Sequence, residues 1–197
     1  MTPLIVIPAA GASSRMRGRD KLLELVDGTP LLCRQTNIAL ATGLNVLVLL
    51  RPGDRERRGT LPDEPRLQIS SVPDAAEGIA ATLRCAATAA IDKSLLILLP
   101  DVPGISTAEI QDVLSVFARH HGEKVARASD PDGNPGTPIC LPAKVVNQFS
   151  KLKGDEGGRK FLLGEDIELV RFSTNRATRD LNTPEDWADW RAEQTEN

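Results

Sequence analysis

Three short runs of apolar residues stand out along the chain and predict buried strands. They lie at residues 3–8, 45–50 and 94–99 and contain few polar positions. Apolar runs of this length are typical of strands that are covered on both faces, as in a parallel sheet. Weaker patterns predict further strands at residues 67–72, 124–128, 138–141 and 167–172.

Capping residues and small or periodic apolar positions predict helices between these strands. Thr29 and Pro30 are typical of a helix start, and Ser106 followed by Glu109 fits a capping box. Strands and helices in alternation predict an α/β fold whose mainly parallel sheet is covered by helices on both faces. The predicted helices cover residues 29–41, 78–91, 106–120, 143–149 and 156–163, and a last helix begins near residue 183.

Between the predicted elements, the sequence gives little sign of further organisation. Residues 51–65 are rich in proline and arginine, so we expect a solvated connection without informative structure. There is no internal repeat, low-complexity stretch or composition shift that would mark a boundary. Residues 1–197 are therefore predicted to form a single domain.

Composition and charge exclude several classes of function. The chain has 24 Lys+Arg against 27 Asp+Glu, a formal net charge of −3, and only four Phe, two Trp and no Tyr. It therefore lacks the basic surface and the aromatic stacking platform of a nucleic-acid-binding protein. The apolar runs are too short to span a membrane, and the three separated cysteines form no disulfide or zinc motif. We expect a cytoplasmic protein with neither a nucleic-acid nor a membrane partner.

The segment that follows the first predicted strand has the composition of an anion-binding loop. Ligands of parallel α/β sheets bind beyond the carboxyl ends of the strands, where residues 10–21 are expected to lie. Its small residues let backbone N–H groups approach an anion, and the Ser13 and Ser14 hydroxyls add donors. This combination suits a triphosphate, although a solvated basic loop would have a similar composition. Four cations fall within seven positions of this segment: Arg15, Arg17, Arg19 and Lys21.

The same segment resembles the LAAGxSxRMG…K(L/P)L signature of nucleotidyltransferases. It is most similar to the molybdenum cofactor cytidylyltransferase and guanylyltransferase branch, the MobA-like NTP transferases, with Arg17 inserted and Pro8 in place of leucine. The resemblance extends from residue 3 to about 187. It implies a three-layer α/β/α, Rossmann-like fold of the nucleotide-diphospho-sugar transferase type with a mixed, mainly parallel sheet. It assigns nucleotide binding to Ala9, Ala10, Gly11, Ala12, Ser13, Ser14, Arg15 and Lys21.

Carboxylates elsewhere in the chain are candidates for holding a metal ion. Asp101 directly follows the third apolar strand, where a carboxylate can hold Mg²⁺ against phosphate oxygens, although an aspartate in a turn also occurs at such positions. Its surroundings resemble the family's GDMP motif, whose aspartate ligates the metal. Asp180 and Asn182 match the family's D(I/V)(D/N)TPED motif, and alternate side chains of an extended segment point the same way. The resemblance thus implies Mg²⁺ as cofactor, held by Asp101, Asp180 and Asn182, with Arg15, Lys21 and Asp101 as catalytic residues.

A further motif resembles the family segment that contacts the base and ribose. Asp74, Gly78 and Thr82 match N-x-x-W-x-x-G-(M/L)-x-x-S-(L/I) in part, but Asp74 replaces asparagine and the aromatic residue is missing. A plain helix start would account for these residues equally well. The resemblance assigns all three to nucleotide binding.

Two glycine-containing motifs resemble those that face the acceptor. One matches the family's G-x-x-GHP(V/I), with threonine in place of histidine, and the other matches GDxGAR. Proline and glycine would form such turns, and cap such helices, without any ligand. The resemblance assigns acceptor binding to Gly136, Thr137, Pro138, Asp155 and Arg159, and the threonine leaves the identity of the acceptor open.

The reaction that the resemblance implies is nucleotidyl transfer. An acceptor phosphate attacks the α-phosphorus of a nucleoside triphosphate and pyrophosphate leaves, so positioning and charge neutralisation suffice. In this branch the motif AAG is associated with CTP and the motif AGG with GTP. Ala10, the second alanine of AAG, therefore favours a CTP:molybdopterin cytidylyltransferase. A molybdoenzyme or its chaperone is a further partner that this activity implies. Use of GTP, another acceptor such as a sugar or alcohol phosphate, and a non-catalytic nucleotide- or cofactor-binding protein remain alternatives.

Overall fold

A seven-stranded mixed sheet organises the computed structural model, which describes residues 2–195. When the strands are numbered along the chain, the fifth, fourth, first, sixth, eighth, seventh and ninth lie side by side in that order. The eighth strand runs antiparallel to both of its neighbours, and the other pairs within the sheet are parallel. The second and third strands pair separately as an antiparallel ribbon. The strands are β1 (Leu4–Pro8), β2 (Leu25–Val26), β3 (Thr29–Pro30), β4 (Val46–Leu50), β5 (Leu67–Ser71), β6 (Leu95–Ile97), β7 (Val125–Ser129), β8 (Pro135–Leu141) and β9 (Ile167–Arg171).

Residues 2–195 also form six α-helices and several 3₁₀ turns, and the last helix follows the final strand. The capping box predicted at Ser106 is present, because the Ser106 hydroxyl accepts from the Glu109 N–H and the Glu109 carboxylate accepts from the Ser106 N–H. Among residues 2–195, no helix is both long enough and apolar enough to span a membrane. The helices are α1 (Leu31–Leu40), α2 (Arg55–Gly59), α3 (Ile79–Ala89), α4 (Thr107–Arg119), α5 (Ala143–Val146) and α6 (Pro184–Thr195).

The central strands are apolar throughout because they separate two hydrophobic cores. Ile5 and Ile7 of β1 face one core, which includes buried residues of α1 and α4. Val6, between them, faces the other core, which includes buried residues of α3 and α5. Successive side chains of a strand point to opposite faces, so a sheet covered on both sides needs apolar residues at every position. The predicted α/β/α layering is confirmed.

The structure differs from the predicted elements in four places, one of which is the helix predicted over residues 156–163, where the chain forms only the 3₁₀ turn Gly158–Leu162. Thr29 and Pro30 form β3 instead of the first helical turn, and α1 begins only at Leu31 because Pro30 pairs with Leu25 in the ribbon. The predicted helix over residues 143–149 is split into α5 and a 3₁₀ turn, Asn147–Lys151. Residues 51–65 were expected to lack informative structure, but they contain α2 and a fully buried arginine.

Candidate active site

Side chains from three distant parts of the chain meet at the carboxyl end of the sheet. Lys21 Nζ lies 2.6 Å from Asp101 Oδ2 and 2.8 Å from Asn182 Oδ1. Arg15 Nη2 donates to the same Asn182 oxygen at 2.7 Å. Asn182 in turn donates through its amide to the carboxylate of Asp180. The structure therefore brings Arg15, Lys21, Asp101 and Asn182 into one charged cluster, with Asp180 at its edge.

The backbone explains why these residues meet. Lys21 lies in the loop after β1, and Asp101 follows β6, which is paired in parallel with β1. The Leu181 N–H donates to the Asp101 carbonyl at 2.9 Å, which holds the segment before α6 against the end of β6. This bond fixes the neighbouring Asn182 within reach of both cations.

The oxygen atoms of the cluster are suited to a divalent cation. Asp101 Oδ2 and Asn182 Oδ1 converge on a single positive atom, the Lys21 ammonium. Asp101 Oδ1 is buried and has no hydrogen-bond partner among residues 2–195. Within the same residues, no three His, Cys, Asp or Glu side chains group closely enough to hold a metal. The donor set thus fits a hard cation that takes its remaining ligands from substrate phosphates and water, as Mg²⁺ commonly does.

A cavity of about 430 Å³ opens beside this cluster. One side is formed by the loop after β1 and by Lys21 and Asp101, and the other by the start of α3 and the turn before it. Of the residues predicted to bind nucleotide or acceptor, the following line it: Ala10, Gly11, Ala12, Lys21, Gly78, Thr82 and Asp155.

Two predicted nucleotide contacts instead face the protein interior. Ala9 is fully buried, and its N–H donates to the Leu49 carbonyl of β4. The Ser13 hydroxyl donates to Asp20 Oδ1 at 3.0 Å and accepts from Arg57 at 3.2 Å. Because its partners lie within the protein, the Ser13 hydroxyl is not directed at a phosphate as we expected, whereas Ser14 is exposed in the same loop.

Arg57 of α2 is the principal residue that the sequence analysis missed. Its guanidinium is fully buried and binds Asp20 at two points, Nε to Oδ2 at 2.7 Å and Nη2 to Oδ1 at 2.9 Å. It also donates to the Ala9 carbonyl at 2.6 Å. Burial by itself would raise the pKa of Asp20, but the hydrogen bond and charge of Arg57, together with hydrogen bonds from the Leu22 N–H and the Ser13 hydroxyl, outweigh it and lower that pKa. Arg57 thus ties both ends of the loop, from Ala9 to Asp20, to the body of the fold.

The motif expected to contact the base contributes unequally to the cavity. Gly78 and Thr82 line it, whereas the Asp74 side chain is exposed and does not. Gly78 has φ +120°, and a Cβ there would lie 2.2 Å from Asp155 Oδ1 and 2.8 Å from the Gly154 carbonyl oxygen. Only glycine allows this close approach, which brings the predicted nucleotide and acceptor motifs into contact.

The Gly136-Thr137-Pro138 motif was predicted as a turn facing the acceptor, with a strand beginning at Pro138, whereas in the structure all three residues belong to β8. Gly136 packs against the Ala177 carbonyl, where a Cβ would lie 1.9 Å from the oxygen. Thr137 and Pro138 are buried. The Thr137 hydroxyl accepts from the Leu99 N–H at 3.2 Å and donates to the Ile97 carbonyl at 3.3 Å. Through these contacts, Thr137 has a structural role: it satisfies backbone groups at the end of β6.

Replacing Thr137 with valine tests this structural role. We expect the free energy of unfolding to fall by about 1–3 kcal/mol, because the partly buried Leu99 N–H loses its partner. Urea-induced unfolding followed by circular dichroism measures the change. Thr107→Val is a control of the same chemistry, since its hydroxyl donates to the Ile38 carbonyl and leaves no backbone donor unpaired. Equal stability of Thr137→Val and wild type would argue for a ligand contact instead.

Comparisons with known proteins agree with this architecture. A family model described as "MobA-like NTP transferase domain" matches residues 5–169. No functionally curated protein matches the sequence of the chain.

Several solved structures share the fold. Rv0371c from Mycobacterium tuberculosis H37Rv, in complex with manganese, is 19% identical with a TM-score of 0.75, over 96% of this chain and 97% of that one. A nucleotidyl transferase from Methanothermobacter is 20% identical with a TM-score of 0.78, over 98% of each chain. CMP:2-keto-3-deoxy-manno-octonic acid synthetase complexed with CTP is 15% identical with a TM-score of 0.76, over 99% of each chain. At these identities the likeness shows a common fold.

Proposed function

This chain belongs to the family of MobA-like NTP transferase domains, and we propose that it transfers the nucleotidyl group of CTP to the phosphate of an acceptor. The observation that carries the proposal is the contact of Lys21 with Asp101 and Asn182, three residues from separate parts of the chain, at the edge of a cavity of about 430 Å³. We further propose that residues 1–197 act as a single nucleotidyltransferase domain, because both cores pack on one sheet.

In the proposed reaction, an oxygen of the acceptor phosphate forms a bond to the α-phosphorus. The bond from that phosphorus to the bridging oxygen breaks, and pyrophosphate leaves with the electron pair. Because the attacking phosphate is already an anion, no general base is required. Lys21 and Arg15 supply positive charge where several phosphate groups must approach one another. The cavity walls fix the relative positions of the two substrates.

Asp101 and Asn182 are the residues that would hold a divalent cation, for which we propose Mg²⁺. Asp101 offers a buried oxygen without a hydrogen-bond partner among residues 2–195, and Asn182 offers an amide oxygen already directed at a cation. Asp180 accepts from the Asn182 amide and so orients it. When bound, the cation would neutralise charge on the triphosphate. Rv0371c, which has the same fold, forms a complex with manganese, and this supports a site for divalent metals.

For the base, we propose a preference for CTP over GTP. Ala10 lines the cavity and is almost fully buried, so its methyl group narrows the space available to a purine. The octonic acid synthetase, which has the same fold, forms a complex with CTP, and this supports the preference. Molybdopterin is the acceptor we favour, with a molybdoenzyme or its chaperone receiving the product.

Pyrophosphate release with purified protein tests the proposed function. We expect release that depends on Mg²⁺, on molybdopterin and on CTP, with kcat/KM for CTP exceeding that for GTP by about tenfold or more. Ala10→Gly is expected to reduce this ratio by about tenfold, because the missing methyl group admits the larger base. Ala41→Gly is the matched control, since Ala41 is an exposed alanine that does not line the cavity.

Three outcomes would redirect the proposal. Release with a sugar or alcohol phosphate and not with molybdopterin would keep nucleotidyl transfer and replace the acceptor. An unchanged nucleotide preference in Ala10→Gly would remove that residue from base selection. Nucleotide binding without release of pyrophosphate for any acceptor would favour a non-catalytic binding protein.

A further inference from the structure

A second, smaller groove adjoins the cavity beside Lys21. It measures about 170 Å³ and shares Pro8, Ile79 and Leu99 with the larger cavity. Its other walls include Phe149 and Leu162, which are also apolar. A ligand in this groove would therefore touch mostly hydrocarbon on its sides while lying next to the proposed nucleotide site.

Two arginines, Arg127 and Arg159, interrupt the apolar lining. Arg127 projects from β7 and is half-buried, with Nε donating to the Gly136 carbonyl at 2.9 Å and Nη2 directed at the Pro135 carbonyl at 3.4 Å. Arg159 is exposed and lies in the 3₁₀ turn Gly158–Leu162. Within residues 2–195, neither guanidinium forms an ion pair with a carboxylate.

Two like charges beside a hydrophobic groove need a counter-charge. Burial lowers the pKa of Arg127, and the positive charge of Arg159 lowers it further, so the two groups destabilise each other. Most other arginines of the chain that are not fully exposed have a carboxylate partner, Arg57 and Arg84 among them. An anion bound between Arg127 and Arg159 would remove the repulsion and accept charge-assisted hydrogen bonds from both.

We propose that Arg127, acting with Arg159, binds the phosphate of the acceptor and thereby selects a phosphate ester whose body is apolar or planar. The two carbonyls that hold Arg127 position its guanidinium in advance, which favours a group with the fixed geometry of a phosphate. Pro8, Ile79 and Leu99 would contact the body of the same ligand. This inference rests on the proposed function, and it adds Arg127 and the chemical class of acceptor that the groove admits.

The groove also explains how the acceptor phosphate would approach the nucleotide. Leu99 borders both spaces and lies two residues before Asp101. An acceptor held at the arginines therefore lies on the same edge of the sheet as the cluster around Lys21. Neutralisation of its charge by Arg127 and Arg159 would lower the repulsion between acceptor and triphosphate.

Binding of phenyl phosphate, measured by isothermal titration calorimetry, tests the proposal without requiring turnover. Phenyl phosphate combines a phosphate with a planar apolar body, while benzyl alcohol has the body alone and inorganic phosphate the anion alone. We expect phenyl phosphate to bind wild type more tightly than either by about tenfold or more. Arg127→Gln and Arg159→Gln should each weaken it by about tenfold or more, whereas the exposed Arg171→Gln on the neighbouring strand should leave it unchanged.

The variants separate this site from the one near Lys21. If phenyl phosphate binding is lost in Lys21→Ala and retained in both groove variants, the anion binds at the loop after β1 and the proposal is wrong. Unchanged affinity for phenyl phosphate in Arg159→Gln overturns the proposal as well. This variant removes no hydrogen bond or ion pair found in residues 2–195, so we expect it to fold like wild type. If Arg127→Gln does not fold, Arg127→Lys replaces it as the test. Lysine keeps the positive charge but cannot bind a phosphate at two points, so we expect this variant to bind phenyl phosphate more weakly than wild type does. Failure of pyrophosphate release with intact phenyl phosphate binding would refute the proposed reaction and leave the groove assignment standing.

Discussion

Replacing Lys21 with alanine is expected to slow Mg²⁺-dependent release of pyrophosphate from CTP by about 10²–10³-fold. The ammonium lies 2.6 Å from Asp101 and 2.8 Å from Asn182, at the edge of the cavity proposed for the nucleotide. Removing it leaves the Asp101 carboxylate unpaired in the place proposed for the triphosphate. The effect should fall on kcat/KM, since substrate binding and stabilisation of the transition state both lose this charge.

The fold should survive this substitution. The Lys21 and Asp101 side chains are 17% and 16% exposed, so loss of the pair is expected to lower the free energy of unfolding by about 1–3 kcal/mol. That is a fraction of the roughly 5–15 kcal/mol typical of a stable domain. Lys93→Ala, at an exposed position, is the matched control and should leave both activity and stability unchanged. Full activity of folded Lys21→Ala would falsify the proposed role of Lys21.

The architecture could be predicted from local patterns because the sheet imposes them. Strands β1, β4 and β6 separate two cores, so their sequences are continuously apolar and the pattern predicts them directly. The capping box at Ser106 is equally local, since its partners lie three residues apart. Lys21 and Asp101 were predicted as candidates because each lies beyond the carboxyl end of a strand, where a parallel sheet places its ligand site.

What the sequence did not predict depends on contacts between distant residues. Arg57 lies in a stretch with four arginines between positions 51 and 58, and no local pattern distinguishes the buried one from its exposed neighbours. The burial of Thr137 depends on the pairing of β8 with β6, 40 residues away in the chain, and a Pro-Gly-Thr-Pro segment has the composition of a turn. The groove beside Arg127 is formed by residues from six or more separate segments, so only the folded structure shows it.

Arg57→Met is expected to destabilise the protein more than any of the other substitutions, by about 3–5 kcal/mol at neutral pH. Methionine fills part of the buried space but leaves the Asp20 carboxylate and the Ala9 carbonyl without their guanidinium partner. The loop from Ala9 to Asp20 then loses its attachment to α2, so weaker nucleotide binding should accompany the loss of stability. Arg58→Met, at the adjacent exposed position, should change neither property.

The dependence on pH identifies Asp20 as the cause of this destabilisation. In wild type the pKa of Asp20 is lowered, so its pairing stabilises the fold above the ordinary value of about 4 and this contribution is lost as the pH falls through the lowered pKa. In Arg57→Met the Leu22 N–H and the Ser13 hydroxyl still lower the pKa of Asp20, but the hydrogen bond and charge of Arg57 no longer oppose the effect of burial, so the ionised carboxylate is less stabilised at neutral pH. Urea unfolding should therefore show a difference between wild type and variant that is largest near neutral pH and shrinks below about pH 4. Adding Asp20→Asn to Arg57→Met should restore part of the free energy of unfolding at pH 7. The double variant should then be more stable than Arg57→Met at pH 7, and this difference should disappear in acid, where Asp20 is protonated. If the single variant instead loses the same free energy at every pH, its instability comes from packing around Arg57, and the buried ion pair is not what secures the loop.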